Sequence, residues 1–190
     1  KITVPNEDAF IIRGRGDNWR NWYKVNLIKN DTILFLDSLA FNLKGNDLYV
    51  SSLEFSNDAK MLLVRTDFKP IWRYSYSATY YLYDLTIKKL FPLSDENKDL
   101  RNVKFAPTSD RIAYVRQDNN IYVYDIKRDR ERRLTTSGSE FVSNGHFGWL
   151  YEEELTGFDA YRWSPDGKSI CYWEEDNSMV KDFSIIDDLA

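Results

Sequence analysis

Runs of alternating or continuous apolar residues recur along the whole chain. They are rich in β-branched and aromatic side chains, which favour half-buried pleated surfaces, and polar turn sequences separate them. No amphipathic helical pattern extends beyond about three turns. The strand-like runs are TILFLDSLAFNL (32–43), MLLVRTDF (61–68), ATYYLYDL (78–85), RIAYVRQ (111–117), NIYVYDI (120–126) and SICYWEE (169–175). The pattern therefore predicts an all-β protein.

A motif made of an aromatic residue, a polar turn and a strand occurs three times. It begins near Phe55, Phe105 and Trp163, at intervals of 50 and 58 residues. A blade of a β-propeller contains roughly 40–50 residues, so the intervals are typical of blades. The longer interval contains WLYEEEL (149–155), which is predicted to be an insertion into a blade. A closed propeller needs about four to eight blades. Residues 1–190 are therefore predicted to be a partial propeller domain of roughly three to four blades.

Composition agrees with a folded β domain and excludes several classes of protein. The chain has 190 residues, of which 43% are hydrophobic and 16% aromatic. Its net charge of −4 argues against binding to a nucleic-acid backbone. Cys171 is the only cysteine, so an internal disulfide and a cluster of thiolate metal ligands are excluded. We expect no metal site and no cofactor. Because the sequence begins at Lys1 without a signal-like segment, we expect any targeting sequence to have been removed.

Three consecutive glutamates, Glu152, Glu153 and Glu154, lie between aromatic and aliphatic neighbours in NGHFGWLYEEEL (144–155). Adjacent carboxylates repel one another, and a carboxylate that loses water costs several kcal/mol unless a cation compensates it. The run is either a solvated surface or a site that receives a positive group. The residues alone favour the solvated surface.

Several motifs, in this order and spacing, resemble the N-terminal β-propeller of the dipeptidyl peptidase IV family of prolyl-oligopeptidase-type serine peptidases. The resemblance covers Leu53 to Trp173, and its most specific part is the pairing of WRYSYSATY with YEEEL downstream. The motifs are IWRYSYSATYYLYDL (71–85), FAPTSDRIAYV (105–115), NNIYVYDI (119–126), NGHFGWLYEEEL (144–155) and RWSPDGKSICYW (162–173).

The resemblance implies an eight-bladed propeller that caps an α/β-hydrolase domain with a Ser, Asp, His triad. No Gly-x-Ser-x-Gly turn, which would carry the nucleophile, occurs in residues 1–190. We therefore expect the hydrolase domain to be absent from this chain, which would contain no catalytic residues and would be inactive alone.

The resemblance also implies roles for three residues. Glu153 and Glu154 would project from a short helical insertion and bind the N-terminal ammonium group of a peptide, while Glu152 would face elsewhere. Arg73 would point into the same chamber, contact a substrate carbonyl and offset the repulsion between the two acids. The chain departs from the family at Gly148, where many relatives have Asp, so we expect a less rigid start of this helix.

Two functions remain open from the sequence. The first is the substrate-gating region of a serine exopeptidase that removes N-terminal Xaa-Pro or Xaa-Ala dipeptides, or tripeptides. The second is a propeller that serves as a protein-interaction platform, as in family members whose hydrolase domain has lost its nucleophile. The expected partners are peptides with a free N-terminus and the protein's own hydrolase domain, with a homodimer possible for the full-length protein. Family habit implies a secreted, periplasmic or cell-surface location.

Overall fold

The computed structural model describes residues 1–181, which form antiparallel sheets and one short α-helix. The prediction of an all-β fold with a short helical insertion at the glutamate run is confirmed. No helix within the described residues combines the length and the apolar character needed to cross a membrane. The number of blades and the domain boundaries stay predictions.

Three four-stranded antiparallel sheets follow one another along the chain, and in each of them strands that are sequential in the chain are also neighbours in the sheet. The first sheet contains β1 (Ile2–Thr3), β2 (Ala9–Arg13), β3 (Trp22–Asn26) and β4 (Asp31–Leu36). The second contains β7 (Ser52–Phe55), β8 (Met61–Pro70), β9 (Tyr76–Asp84) and β10 (Lys89–Pro92). The third contains β11 (Arg101–Phe105), β12 (Arg111–Val115), β13 (Ile121–Asp125) and β14 (Arg130–Arg133).

The remaining elements are shorter. Three pairs of strands are β5 (Asn42–Leu43) with β6 (Asn46–Asp47), β15 (Val142–Asn144) with β18 (Glu174–Asp176), and β16 (Tyr161–Trp163) with β17 (Ile170–Tyr172). The α-helix α1 spans Trp149–Leu155, and short 3₁₀ helices span Gly16–Asn18 and Ser38–Phe41.

Each four-stranded sheet packs face to face on the next, and β8 shows why its sequence is apolar at consecutive positions. Leu62 and Val64 are buried against the first sheet, whereas Leu63 is buried against the third. Successive side chains of a strand point to opposite faces, so a strand with both faces buried needs an apolar residue at every position. Full burial of such a side chain contributes about 1.5–3 kcal/mol. A third apolar cluster joins the third sheet to the β16–β17 pair through Tyr161.

The three sequence repeats adopt the same turn. In each turn the backbone N–H that follows the aromatic residue donates to the carbonyl five positions on: Ser56 to Met61 (2.9 Å), Ala106 to Arg111 (2.8 Å) and Ser164 to Ser169 (2.9 Å). The residue at the third position after that N–H has a positive φ in all three turns: Ala59 (56°), Ser109 (62°) and Gly167 (65°). The repeated polar sequence therefore encodes a repeated hairpin.

The long predicted strand at 32–43 is wrong in its second half. β4 ends at Leu36, and the next turn is the 3₁₀ helix Ser38–Phe41. Asp37 causes this break because its side chain accepts hydrogen bonds from the backbone N–H groups of Leu39 (3.0 Å) and Ala40 (3.2 Å). An Asp that caps the N–H groups after it starts a helical turn even within an apolar run.

Candidate functional site

Strands β8 and β9 form a hairpin that projects beyond its own sheet. β7 pairs with β8 only as far as Arg65, whereas β9 stays paired with β8 up to Pro70. The projecting part forms an ion pair with the segment that precedes β11, since Lys69 Nζ lies 2.7 Å from Asp99 Oδ1. The turn at 71–75 is closed by one backbone hydrogen bond of 2.9 Å, from the N–H of Ile71 to the carbonyl of Ser75. This geometry places the turn outside the sheet, where other elements can contact it.

Helix α1 is held in place near its start by contacts from neighbouring segments. The ring of Phe147 stacks on Tyr151 with centroids 4.5 Å apart and also packs on Trp173. Gly148 is the N-cap and has no side chain to cap the helix, but its own backbone N–H donates to Glu175 Oε2 at 2.9 Å. A β-carbon at Gly148 would lie 3.0 Å from Glu175 Oε1. A carboxylate from β18 thus fastens the segment where the helix begins.

Glu152 is the buried member of the glutamate run, with no exposed surface. Its Oε1 atom accepts hydrogen bonds from the backbone N–H of Tyr74 and, at 2.6 Å, from that of Ser75. Its Oε2 atom and the Ser75 hydroxyl oxygen are both buried without a hydrogen-bond partner within residues 1–181. Glu152 therefore joins helix α1 directly to the backbone of the 71–75 turn.

The Glu152 carboxyl is held in its ionised form. Burial alone would raise its pKa, but the polar surroundings at Ser75, the hydrogen bonds from the backbone N–H groups of Ser75 and Tyr74, and the positive charge of Arg101 lower the pKa below the ordinary value. Hydrogen bonds to a charged group are the stronger kind, worth about 1.5–3 kcal/mol each. The link between helix and turn is therefore a charged one.

Arg73 and Glu153 form an ion pair at the junction between the turn and the helix. Arg73 Nη2 lies 2.9 Å from Glu153 Oε2, and the two side chains are 62% and 17% exposed. The Arg73 side chain is thus mostly exposed to solvent, whereas that of Glu153 is largely covered. The predicted neighbours Arg73 and Glu153 are brought together.

Glu154 differs from both of its neighbours. Its side chain is exposed, and within residues 1–181 it forms no ion pair. It follows Glu153 directly on the same short helix, whose exposed surface also includes Trp149, Leu150 and Leu155. The structure therefore presents one paired and one unpaired carboxylate beside an apolar helical surface.

Sequence reasoning did not identify Arg101 as part of this site. Arg101 lies at the start of β11, where burial lowers its pKa and the charge of Glu152 acts in the opposite direction. Burial and the nearby Arg101 together lower the pKa of His146 to about 4, so His146 is neutral at pH 7. No local pattern distinguishes Arg101 from other strand-flanking arginines, because its neighbours are brought to it by the fold.

Stacked four-stranded antiparallel sheets, followed in the chain by a short helical insertion between β15 and β16, define a segment of a β-propeller. The family described as the dipeptidyl peptidase IV (DPP IV) N-terminal region matches residues 56–189. The chain therefore belongs to the dipeptidyl peptidase IV family, in which it corresponds to the N-terminal region.

Individual relatives agree with this assignment. The chain is 36% identical to the probable dipeptidyl-aminopeptidase B of Talaromyces marneffei, over 97% of the chain and 22% of that protein. It is also 36% identical to the dipeptidyl aminopeptidase B of Saccharomyces cerevisiae, over 86% of the chain and 20% of that protein. The crystal structure of Porphyromonas gingivalis dipeptidyl peptidase 4 is similar, with a TM-score of 0.77 and 27% identity over 86% of the chain and 23% of that structure. The chain thus spans about a fifth of the length of these relatives.

Proposed function

We propose that this segment is the substrate-gating part of a serine exopeptidase, in which it binds the free N-terminus of a peptide. The observation that carries the proposal is the arrangement of Arg73, Glu153 and Glu154: an ion pair with a second, unpaired carboxylate beside it. The relatives named above are dipeptidyl aminopeptidases, which supports a peptidase as the parent protein. By the family's habit, that protein would be secreted, periplasmic or at the cell surface.

The charges at the junction favour a cationic ligand. Three carboxylates, at Glu152, Glu153 and Glu154, are accompanied by two guanidinium groups, Arg73 and Arg101. A peptide N-terminus is an ammonium group with three N–H donors and a pKa near 7.7–8, so it would supply the missing positive charge. Each charge-assisted hydrogen bond that it makes with Glu153 and Glu154 contributes about 1.5–3 kcal/mol.

Arg73 suits a second contact to the same ligand. Its guanidinium group has five N–H donors in a planar fork, and the ion pair with Glu153 occupies only part of it. The exposed remainder can donate to a backbone carbonyl of the bound peptide. A peptide held by its amine and by one carbonyl is fixed in register, and such positioning is a large part of enzymatic rate enhancement.

The need for a positive group at the carboxylates also explains why such a site would prefer the N-terminal ends of peptides. An internal peptide segment has no ammonium group, so it would cover the unpaired carboxylate of Glu154 without supplying a positive partner for it. A serine peptidase that binds substrates through such a site would therefore release short N-terminal pieces, which we propose to be dipeptides with proline or alanine at the second position, or tripeptides.

The test compares Gly-Pro-nitroanilide with its N-acetylated form as substrates of the full-length protein. Two lost charge-assisted hydrogen bonds predict that acetylation lowers kcat/KM by about 100-fold or more. Equal cleavage of the two compounds would contradict amine binding. Cleavage of neither would contradict the peptidase itself and would favour the interaction platform.

A further inference from the structure

Glu152 connects the two elements that present Arg73 and Glu153. It lies on α1 directly before Glu153, and its Oε1 atom receives the N–H groups of the two residues that follow Arg73, at positions 74 and 75. It is fully buried, so it cannot contact a substrate that occupies the exposed side of the helix.

This contact binds the turn that carries Arg73 to helix α1. The Arg73 side chain is 62% exposed, and its ion pair with Glu153 is too solvated to orient it strongly. The turn itself is closed by one backbone hydrogen bond, between Ile71 and Ser75. The N–H groups of Tyr74 and Ser75 point to the helix instead of back into the turn. The turn is thus ordered by α1 as much as by its own residues.

We propose that Glu152 is a positioning residue, which sets the placement of Arg73 relative to Glu153 and Glu154 and so the selectivity for a free N-terminus. The inference rests on the proposed function, because it concerns the same site. A positional error of about 1 Å in such a site can cost about 100-fold in rate. A single carboxylate that accepts both N–H groups limits the error to what two short hydrogen bonds allow.

Two substitutions at Glu152 can distinguish the effect of its charge from the effect of its hydrogen-bond acceptor. Gln has the same shape and can accept both N–H groups through its amide oxygen, while its amide N–H group can donate to the adjacent, unpartnered Ser75 hydroxyl. Leu accepts no hydrogen bond, so the partly buried N–H groups of Tyr74 and Ser75 would lose their acceptor. Glu152→Gln should therefore retain most of the selectivity that Glu152→Leu loses.

The experiment measures the ratio of kcat/KM for Gly-Pro-nitroanilide to that for its N-acetylated form. It uses the full-length protein with Glu152→Leu, Glu152→Gln, Arg73→Ala and the double variant Glu152→Leu/Arg73→Ala. We expect Glu152→Leu to lower the ratio about 10-fold or more and Glu152→Gln to lower it much less. In the Arg73→Ala background, Glu152→Leu should add little, because the residue that it places is already gone.

A matched control is Asp84→Leu at the opposite end of β9. Asp84 Oδ1 also accepts two consecutive backbone N–H groups, from Thr86 at 2.7 Å and Ile87 at 3.1 Å, but far from α1 along the same strand. Its replacement should leave the ratio unchanged. Labelling by a fluorophosphonate, which needs no amine contact, verifies that each variant keeps a folded hydrolase domain.

Two results would overturn the inference while leaving the proposed function intact. One is an unchanged ratio in Glu152→Leu. The other is an equal loss with and without Arg73, which would mean that Glu152 supports the fold in general. Failure of the proposed function is visible separately, since the unsubstituted protein would then cleave the free and acetylated substrates equally and no positioning role in amine selection would exist.

Discussion

The two ends of strand β9 carry turns that are stabilised by similar chemistry but from different sources. At the C-terminal end of β9, the carboxylate of its last residue, Asp84, accepts hydrogen bonds from the N–H groups of positions 86 and 87, two and three residues away. Before its first residue, the N–H groups of positions 74 and 75 are accepted by Glu152, 78 and 77 residues away. The first turn is specified by its own sequence. The second, which carries Arg73, depends in addition on the helical insertion that lies against it.

The largest expected effect lies at the end of β9 that depends on the insertion. Replacement of both Glu153 and Glu154 by Gln should lower kcat/KM for Gly-Pro-nitroanilide by about 100-fold, or about 3 kcal/mol, because neutral amides bind an ammonium group less strongly. Steady-state kinetics on the full-length protein measures it. Asp84→Leu at the locally capped end should leave kcat/KM unchanged. A similar loss in both proteins would contradict the view that only the end of β9 near α1 contributes to substrate binding.

Stability should also distinguish the two turns. Glu152→Leu should lower the free energy of unfolding by about 3 kcal/mol, because it removes a fully buried acceptor of two charge-assisted hydrogen bonds. Asp84→Leu should cost about 1 kcal/mol, since water can replace the lost acceptor at that exposed turn. Urea denaturation monitored by tryptophan fluorescence gives both values. Equal losses would show that the buried and the exposed acceptor contribute alike.

Acid should weaken the connection between α1 and the turn. The folded-state pKa of Glu152 is below its ordinary value of 4.5, so its stabilising effect is complete above that value and is lost as the pH falls through the lower, folded-state pKa. Above pH 5 the unsubstituted protein should be more stable than Glu152→Gln by about 1 kcal/mol, and the difference should shrink in acid. His146 also titrates in this range, but it does so in both proteins. A difference that is constant with pH would contradict this prediction.

The smallest effect is expected in the locally encoded hairpin turns. Ala59 has a φ of 56°, in the left-handed region where the equivalent turn has Gly167. Ala59→Gly should raise the free energy of unfolding by about 0.5 kcal/mol, because the strain of a β-carbon in that region outweighs the extra entropy of the unfolded chain. Thermal unfolding at matched pH measures it. Gly167→Ala is the opposite control, since its β-carbon would lie 2.6 Å from the Thr108 hydroxyl oxygen.

The distinction between structure encoded locally and structure that depends on distant contacts also explains how much of the fold could be predicted from sequence. The central strands β8, β9, β12 and β13 were predicted because two buried faces require long apolar runs. The strands β1, β2 and β3 were not predicted, and neither were the short outer strands such as β10 and β14, whose residues are mostly exposed. An exposed edge imposes little pattern on its sequence.

The site was predictable in part. The resemblance indicated Arg73, Glu153 and Glu154, and the structure brings the first two to 2.9 Å. Three identical glutamates do not reveal which one is buried, because that depends on which side of a seven-residue helix meets the hairpin. Glu152 was expected only to face elsewhere, and its bonds to Tyr74 and Ser75 could be found only from the folded chain. Whether Glu154 binds an amine stays a prediction.

The long sequence separation between the 71–75 turn and its acceptor has a consequence for biosynthesis. A ribosome must add nearly eighty residues after Arg73 before the glutamate that orders its turn exists. The intervening third sheet can fold first, since its strands pair with their neighbours in the chain. Until the helix emerges, Tyr74 and Ser75 present bare N–H groups to water or to a chaperone. The contact between the turn and helix α1 therefore forms only after the helix has been synthesised.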